Sequence, residues 1–326
     1  MGNHLIALTL ALIIDYVIGD PLSWPHPVRW IGGGINWLES RLNKGNLRKC
    51  KGFIMIFLIV GVTFLVTVLL VWIFYLVHPI VGIIGEGLII ASTIAQKGLK
   101  DAALDIYHPL KSGDLKEARK RLSYIVGRDT EHLDEAEIVR GTVETVAENT
   151  SDGVTAPLFW GLIGGAPLAM AYRAINTCDS MVGYKNEKFL EFGRFSAKID
   201  DLVNWIPSRL TACIMLLGNK PKHMSRKATW KKLFQDAKKH PSPNSGWLEA
   251  AVALLLGVQL GGINYYKGIL SNRAKMGEPM IPLNTEHILV TNKLLGKTTL
   301  LFLMMLIIGG VLFELTATWI QSTICI

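Results

Sequence analysis

Long apolar runs separated by short polar blocks dominate the chain. The clearest run, residues 53–77, is 25 residues long and includes no charged side chain. As a helix it would measure about 37 Å, which crosses a hydrocarbon core of about 30 Å with some tilt. A second run, residues 298–320, contains one carboxylate, Glu314, among twelve Leu, Ile, Phe and Val residues whose insertion outweighs its cost. Both runs predict membrane-spanning helices.

Five further apolar segments are weaker candidates. The first, residues 4–14, has neither a basic flank nor a small-residue cleavage site, which favours a retained span over a cleaved signal peptide. The others are short or interrupted by glycine and proline, so they fit re-entrant or buried helices as well as spans; they cover residues 79–95, 154–174, 205–217 and 247–263. The pattern predicts an all-α, polytopic integral membrane helical bundle with about four to seven spans, forming one domain over residues 1–326.

Composition and charge support this fold class. Half of the residues are hydrophobic and 18% are charged, against about 25% charged residues in soluble domains. The net charge of +8 is concentrated in two blocks, residues 41–51 and 220–240, which the positive-inside rule places in the cytoplasm. We therefore expect a basic cytoplasmic loop at residues 218–246 and a mixed-charge, cytoplasmic helical segment at residues 97–152.

The same features argue against several other classes of protein. The basic residues lack the fold and the aromatic platform of nucleic-acid-binding proteins, so nucleic acid is not an expected partner. The block at residues 220–240 is better explained as a solvated face near anionic lipid. The four cysteines stand alone, without the spacing of a disulfide framework or of a thiolate metal site.

Four polar blocks lie beside apolar runs, where ionisable residues are candidates for function. The first, DYVIGDPLSWPHPVR, follows the N-terminal run and contains Arg29 and, between two prolines, His26. Proline favours extended or turn geometry in the residue before it. A membrane-exit turn, with Arg29 reaching the interface, explains this block as well as a functional site does.

The second block joins GRDTE to the run LDEAEIVRGTVETVAENTSDGV. At about 100° per residue, Glu137, Glu144 and Glu148 share one helix face, flanked by Arg140 and Asp152. Carboxylates so arranged repel one another unless a cation lies between them. The face therefore predicts a divalent metal such as Mg²⁺, held by one or two carboxylates and a substrate phosphate. A solvated acidic face is the alternative.

The third and fourth blocks are also polar segments next to apolar runs. The third contains RAINTCDSMVGYKN and EFGRFSAKIDDLVNWIPSR, whose alternative role is polar contact between helices. The fourth, HPSPNSG, carries two prolines and predicts a stiff loop that presents polar groups to the next apolar segment. A plain connecting loop is the alternative.

Long runs of this sequence resemble one known family. The runs GDPLSWPHPVRWIG, GRDTEHLDEAEIVRGTVETVAENTSDGVTAPLFW, FSAKIDDLVNWIPSRLTA and HPSPNSGWLEAA are similar to the membrane-bound adenosylcobinamide-phosphate synthases of cobalamin biosynthesis, the CbiB/CobD family. The resemblance covers nearly the whole chain. It implies ATP-dependent amide ligation of adenosylcobyric acid to (R)-1-amino-2-propanol O-2-phosphate, or a related amino alcohol phosphate. Implied cofactors are ATP and Mg²⁺; implied partners are these small molecules, membrane lipid and other corrinoid-pathway enzymes.

The resemblance also implies roles for residues of the four blocks. The expected catalytic residues are His26, Glu144 and His240, with one histidine accepting a proton from the amine. The expected substrate-binding residues are Arg29, Arg128, Arg140, Arg173, Asn176, Asp179, Arg194, Asn204, Arg209 and Asn244. The expected metal ligands are Glu137, Glu144, Glu148, Asp152, Asp200 and Asp201.

The four blocks are expected to form one site that faces the cytoplasm at the plasma membrane, because all the implied substrates are polar and cytosolic. A transporter for a corrinoid or a phosphorylated solute is the rival interpretation, favoured by Glu86 and Glu314 in apolar runs. No inverted repeat is visible in the sequence to support it. A non-catalytic scaffold explains the apolar runs but leaves the aligned carboxylates unexplained.

Overall fold

The computed structural model describes residues 2–21 and 25–324, with side chains up to residue 318. Almost all regular structure in this part of the chain is helical. The helices are α1 (Gly2–Val17), α2 (Pro27–Leu42), α3 (Arg48–Val77), α4 (Pro79–Ala91), α5 (Gln96–Lys111), α6 (Leu115–Ser123), α7 (Glu135–Thr150), α8 (Ala156–Val182), α9 (Arg194–Val203), α10 (Trp205–Gly218), α11 (Arg226–Asp236), α12 (Ser245–Leu256) and α13 (Glu286–Ile324). A π-helical turn (Ser151–Thr155), a 3₁₀ turn (Ala237–Lys239) and strands β1 (Gln259–Tyr266) and β2 (Ile269–Gly277) complete them.

The predicted helical membrane fold class is confirmed. Four helical stretches in the described residues are long and apolar enough to cross a bilayer: Arg48–Val77, Pro79–Lys111, Glu135–Val182 and Glu286–Thr318. They include both strong predicted runs and agree with the lower end of the predicted number of spans. Only 22% of the most apolar window of α3 is buried, so this helix presents the kind of surface that lipid tails cover.

Two of the weaker apolar segments differ from a spanning helix. Residues 205–217 form α10, whose 14 residues rise only about 21 Å. The segment at residues 247–263 is not one helix, and that expectation is wrong. Helix α12 ends at Leu256, Gly257 takes a φ of +75° as its C-cap, and β1 begins at Gln259. A left-handed residue ends a helix because the backbone hydrogen-bond ladder cannot continue through it.

The chain divides into two compact units whose segments alternate in sequence. Unit 1 comprises Met1–Ala95, Gly153–Asn204 and Leu303–Ile326, and unit 2 comprises Gln96–Asp152 and Trp205–Phe302. The predicted helical segment at residues 97–152 coincides with the first part of unit 2. The expectation of a single domain stays a prediction, since neither unit is a continuous stretch of sequence.

Unit 1 is built around α3 and α8. These two helices pack against each other, and α2, α4 and α9 each pack against both of them. The core between them consists of buried apolar side chains, which include Ile35, Met55, Ile56, Met170, Ala174, Cys178 and Phe192. Helix association in this unit therefore relies on close apolar packing, as expected for helices in lipid.

Helix α8 of unit 1 is broken beside a buried carboxylate. Gly165 has a φ of +63°, and a Cβ there would lie 2.0 Å from Glu86 Oε1, so only glycine fits. Glu86 has no exposed surface and accepts hydrogen bonds from the Ala166 amide (3.1 Å) and the Tyr75 hydroxyl (2.9 Å). His4 Nδ1 lies 2.8 Å from the same carboxylate. These partners satisfy the charge at the break, where an isolated one would be costly.

Unit 2 is built around α7 and α12. All twelve residues of α12 are buried, and ten of the sixteen residues of α7 are buried. Strands β1 and β2 form an antiparallel hairpin with an irregular register between Leu260 and Gly262. The hairpin packs against both helices, so polar side chains on α7 and α12 meet backbone groups of β1.

Candidate functional site

The first carboxylate of the predicted stripe has a structural role. Asp134 is the N-cap of α7, and its side chain accepts a hydrogen bond from the Glu137 amide (2.8 Å). Glu137 returns the contact by accepting from the Asp134 amide (3.0 Å). This reciprocal capping box satisfies two amides that the helix leaves unpaired. The Glu137 carboxylate therefore serves the start of the helix.

The second carboxylate, Glu144, is buried and fully engaged. Its residue is 5% exposed, so the alternative of a solvated acidic face is wrong at this position. Arg128 Nη2 lies 2.5 Å from Glu144 Oε2, and the Gly261 amide donates to Oε1 (2.8 Å). Gly261 lies at the bulge in β1 with a φ of +83°, and a Cβ there would lie 2.2 Å from the Ala274 carbonyl oxygen of β2, so only glycine fits. Glu144 thus joins the GRDTE loop and the hairpin to α7.

The two arginines of this block are committed to the same hairpin. Arg140 donates to the carbonyls of Gly261 and Ile263 (2.9 Å for the latter). Asn264 Oδ1 accepts from Arg128 and, at 3.2 Å, from Arg140. Because both arginines donate hydrogen bonds to the hairpin, they hold it in position without a bound substrate.

Asp129 of the GRDTE loop fixes the hairpin turn. Lys267 and Gly268 form the turn with φ values of +52° and +77°, the type I′ geometry that suits a two-residue hairpin. Asp129 accepts hydrogen bonds from both turn amides, at 2.9 and 2.7 Å. The Asp129 amide in turn donates to the Tyr265 carbonyl (2.8 Å). The GRDTE loop therefore binds the turn of the hairpin through Asp129.

The third carboxylate, Glu148, meets the HPSPNSG loop. The Ser245 hydroxyl donates to Glu148 Oε1 at 2.7 Å. Within the loop, Asn244 Oδ1 accepts from Arg209 Nη1 (3.2 Å), and Arg209 Nη2 donates to the Pro243 carbonyl (3.2 Å). The structure thus brings the second and fourth blocks together in unit 2, with Arg209 from the end of the third.

His240 and Glu249 face each other inside this region. His240 Nε2 lies 3.6 Å from Glu249 Oε1, with side chains 6% and 2% exposed. Among the described residues, no hydrogen-bond partner reaches that His240 nitrogen. Burial lowers the pKa of His240 below its usual value of 6.5. Burial, together with Glu144 and Glu148, raises the pKa of Glu249 well above 4.5. Burial thus favours the uncharged forms of both side chains.

We call these side chains the buried charge cluster: Arg128, Glu144, Glu148, His240, Glu249 and Arg273. Its members influence one another electrostatically, and Arg273, followed by Arg128, favours ionisation of Glu249. Arg273 Nη2 donates to the Tyr266 hydroxyl (2.7 Å). The sequence assigned no role to Glu249, Arg273 or Asn264. A hairpin signal was present, because YYKGIL places an x-Gly turn between aromatic and β-branched residues.

The third block forms a second polar network, in unit 1. Asp200 accepts hydrogen bonds from Asn176 (3.3 Å) and Asn204 (3.1 Å), and Asn204 Oδ1 accepts from the Tyr172 hydroxyl (2.7 Å). Burial, followed by the charge of Asp179, raises the pKa of Asp200 to about 7. These contacts join α8 to α9, which is the predicted alternative of polar contact between helices. They leave Asp200 able to change charge near neutral pH.

Among the other predicted residues of unit 1, Arg173 lies inside α8 and donates to Asn176 Oδ1 (3.4 Å), Asp179 lies in the last turn of α8, and Asp201 lies in α9. The rest lie at helix ends. His26 is the N-cap of α2: its Nδ1 accepts from the Val28 amide (3.3 Å), and its Nε2 lies 3.1 Å from Asp20. Arg29 is exposed in the first turn of α2, and Arg194 is exposed at the start of α9. Three residues of the first block, 22–24, lie outside the described residues.

The predicted metal ligands are divided between the two units: Glu137, Glu144, Glu148 and Asp152 belong to unit 2, and Asp200 and Asp201 to unit 1. Within residues 2–21 and 25–324, no three His, Cys, Asp or Glu side chains come together as a ready metal cage. Magnesium in nucleotide sites usually takes only one or two carboxylates and completes its shell with phosphate and water. Both oxygens of Glu144 accept hydrogen bonds from the protein, whereas Glu148 accepts one, from Ser245. Glu148 is therefore the carboxylate of the stripe that best fits such an ion, and Asp152, one turn later, stays a predicted second ligand.

Comparison with known proteins assigns the chain to a family. The family model described as CobD/Cbib protein matches residues 8–295. "Cobalamin biosynthesis protein CobD" of Halalkalibacterium halodurans is 52% identical over 96% of this chain and 99% of its own length. The protein of the same name from Clostridium perfringens is 45% identical, over 95% and 99%. "Cobalamin biosynthesis protein CbiB" of Salmonella paratyphi B is 41% identical, over 93% and 96%. No solved structure matches the chain.

Proposed function

Because the chain belongs to the CobD/CbiB protein family of cobalamin biosynthesis, we propose that it is the ligase that makes adenosylcobinamide phosphate. It joins adenosylcobyric acid to (R)-1-amino-2-propanol O-2-phosphate, or a related amino alcohol phosphate, with ATP. The observation that carries this proposal is the buried charge cluster, where carboxylates, arginines and a neutral histidine meet inside unit 2. Perturbed, buried ionisable groups of this kind favour a reaction centre over a scaffold.

Amide formation from a carboxylate needs activation first. In the proposed reaction, an oxygen of the propionate attacks the γ-phosphorus of ATP, which forms an acyl phosphate and releases ADP. The amine then attacks the acyl carbon and displaces inorganic phosphate. Negative charge develops on the phosphoryl oxygens in both steps, so cations fixed in a dry site lower the barrier. Arg273 donates one hydrogen bond, to Tyr266, whereas Arg128 donates two, so Arg273 is the cluster arginine with more donors left for such a group.

The amine must lose a proton before or while it attacks. A side chain accepts that proton best when its pKa lies near the working pH and its acceptor atom is open. Burial favours the neutral, proton-accepting form of His240, and its Nε2 lacks a hydrogen-bond partner among the described residues. Glu249 Oε1 lies 3.6 Å from Nε2, so its side chain fixes the position of the imidazole. We assign His240 as the base and Glu249 as its positioning residue.

ATP is expected to enter as its magnesium complex, in which the ion neutralises charge on the transferring phosphoryl group. Glu148 and Asp152 would hold the ion on the protein side. Glu144 instead positions the GRDTE loop and the hairpin. The different roles of Glu144 and Glu148 follow from their hydrogen bonds.

The proposed activity can be tested on protein purified in detergent. We expect adenosylcobyric acid, the amino alcohol phosphate and ATP to give adenosylcobinamide phosphate with one ADP per product. A transporter needs two compartments and forms no new bond, so absence of product with intact binding would favour that rival. Glu86, which suggested the rival, already has its carboxylate satisfied by protein groups in unit 1.

The lowered pKa of His240 predicts how activity depends on pH. A folded pKa below the unfolded value of about 6.5 means that falling pH protonates the unfolded chain first, so stability declines below that pH. Above that pH the neutral form of His240 predominates. We therefore expect kcat/KM to be flat near pH 7 and to fall in acid. His240→Asn should remove the acid limb, whereas His132→Asn, at an exposed histidine, should keep it. Loss of the limb in Asp200→Asn instead would assign it to unit 1.

We propose that the protein lies in the plasma membrane with its active site facing the cytoplasm. The basic residues 41–51 and 220–240 support this orientation. A single cysteine placed at exposed Lys231 of a variant lacking native cysteines should resist an impermeant maleimide in intact cells and react after permeabilisation. The native Cys50, which is exposed, should behave in the same way when it is the sole cysteine. Labelling of either from outside would reverse the orientation.

A further inference from the structure

A deep apolar groove in unit 1 lies apart from the residues assigned to ligation. It is a cavity of about 420 Å³ between α3, α8 and α9. Of its thirteen lining residues, only Trp160 and Tyr172 carry a polar side-chain atom. Trp160 Nε1 donates to the Val203 carbonyl (3.2 Å), and the Tyr172 hydroxyl donates to Asn204 Oδ1 (2.7 Å). Since both polar atoms already have protein partners, the groove favours an apolar occupant.

The length of the groove matches one leaflet of a bilayer. Along α3 its lining runs from Phe53 to Phe64, which is about 16 Å of helix axis and half of a hydrocarbon core of about 30 Å. Phe53 and Phe57, on this wall, are 45% and 67% exposed. Because α3 is the most apolar of the spanning-length helices, the groove opens towards lipid tails.

The end of the groove at Phe53 is cationic. Helix α3 begins at Arg48, and Lys49 and Lys51 follow in its first turn. The Lys49 ammonium lies 6.0 Å from the centroid of the Phe195 ring, which packs edge-on against Phe53 with a centroid distance of 5.1 Å. Basic side chains at the cytoplasmic end of a span attract anionic headgroups.

We propose that this groove binds one acyl chain of an anionic phospholipid from the surrounding membrane, with the lipid phosphate beside Lys49. The apolar lining takes the chain, its length fits one leaflet, and the basic end pairs with the headgroup. The substrates of the ligation carry phosphate and amide groups that this lining cannot satisfy. The inference stands on unit 1 alone and does not depend on the proposed activity.

The test fills the groove without disturbing the helix packing. Gly61 lines the groove, and a Cβ there meets nothing within 4 Å; the same holds for Gly309 on α13, which does not line it. In nanodiscs containing phosphatidylglycerol, followed by detergent exchange, native mass spectrometry should find one retained lipid per wild-type chain. Gly61→Phe should lower retention at least about tenfold, since two or more methylenes lose their burial. Gly309→Phe should match the wild type.

A charge substitution tests the headgroup assignment. Lys49→Gln should lower the preference for phosphatidylglycerol over phosphatidylcholine about fivefold, whereas Lys116→Gln, at an exposed lysine of α6, should leave it unchanged. The proposal is overturned if Gly61→Phe retains lipid as Gly309→Phe does. Two further results with lipid retention intact in Gly61→Phe would also overturn it. Weaker binding of adenosylcobyric acid would mean that the occupant is a substrate. A changed oligomeric state would mean that the occupant is a second copy of the chain.

Discussion

Replacement of Glu148 by glutamine lowers kcat for ligation by about 10²–10³-fold, the range seen when one fixed electrostatic contact to a transition state is removed. Glutamine keeps the size of the side chain and an oxygen that can accept the hydrogen bond from Ser245, which is 2.7 Å in the wild type. It removes the charge that would hold the metal-bound nucleotide. The fold should therefore survive while the reaction fails.

The same substitution on the same helix gives the control. Glu137→Gln also removes a carboxylate from α7, but glutamine can serve in the capping box with Asp134. We expect Glu137→Gln to keep wild-type kcat and wild-type magnesium dependence. Equal activity of both variants, with folding checked by circular dichroism, would show that Glu148 takes no part in the chemistry.

Replacement of Arg128 by methionine destabilises the protein by about 3–5 kcal/mol, because it leaves a buried carboxylate without its cation. Arg128 and Glu144 are each 6% exposed at the side chain, with a nitrogen–oxygen distance of 2.5 Å. Adding Glu144→Gln removes the stranded charge and keeps an acceptor for the Gly261 amide. The double variant should therefore recover at least half of the loss.

An exposed pair in unit 2 calibrates this expectation. Arg121 and Glu117 lie 2.7 Å apart with side chains 43% and 33% exposed, and such pairs contribute about 0–1 kcal/mol. Arg121→Met should thus have a small effect. Unfolding in mixed detergent micelles, followed by circular dichroism, measures the three variants against the wild type. A double variant no more stable than Arg128→Met would mean that Glu144 is not stabilised by pairing with Arg128.

The helix periodicity predicted the shared face of α7 but could not assign the roles of its carboxylates. Glu137, Glu144 and Glu148 look alike in sequence, yet one caps a helix, one is buried against an arginine, and one meets a serine of α12. The capping partner of Glu137 is only three residues away. Glu144 and Glu148 instead depend on partners 16, 117 and 97 residues away, which are Arg128, Gly261 and Ser245. Periodicity gives a side chain's direction from its own helix, not the element that it faces.

The hairpin shows a different limit of sequence reasoning. Residues 247–263 have the apolar composition of a helix, and the pattern alone cannot tell a buried strand from a buried helix of similar length. Positive φ values at Gly257, Gly261 and Gly262 decide the outcome, because they end α12 and bend β1. Arg128 and Arg140, which were expected to bind substrate, consequently bind the hairpin.

The membrane runs were predicted more completely because their signal is local. Residues 53–77 and 298–320 lie in α3 and α13, where length and apolar composition are sufficient. The polar network of Asp200 was predicted only as a set of candidate residues. Its pKa near 7 depends on burial and on Asp179 from another helix, which sequence does not display.

An oxygen-18 experiment tests the central claim, amide ligation through an acyl phosphate, most directly. Adenosylcobyric acid labelled with oxygen-18 in its propionate carboxylate is incubated with the purified protein, ATP and the amino alcohol phosphate. If a carboxylate oxygen attacks the γ-phosphorus and the amine then displaces phosphate, each amide formed releases one labelled inorganic phosphate. Mass spectrometry should find that label in step with adenosylcobinamide phosphate. Unlabelled phosphate, or ATP hydrolysis without any new amide, would contradict the account.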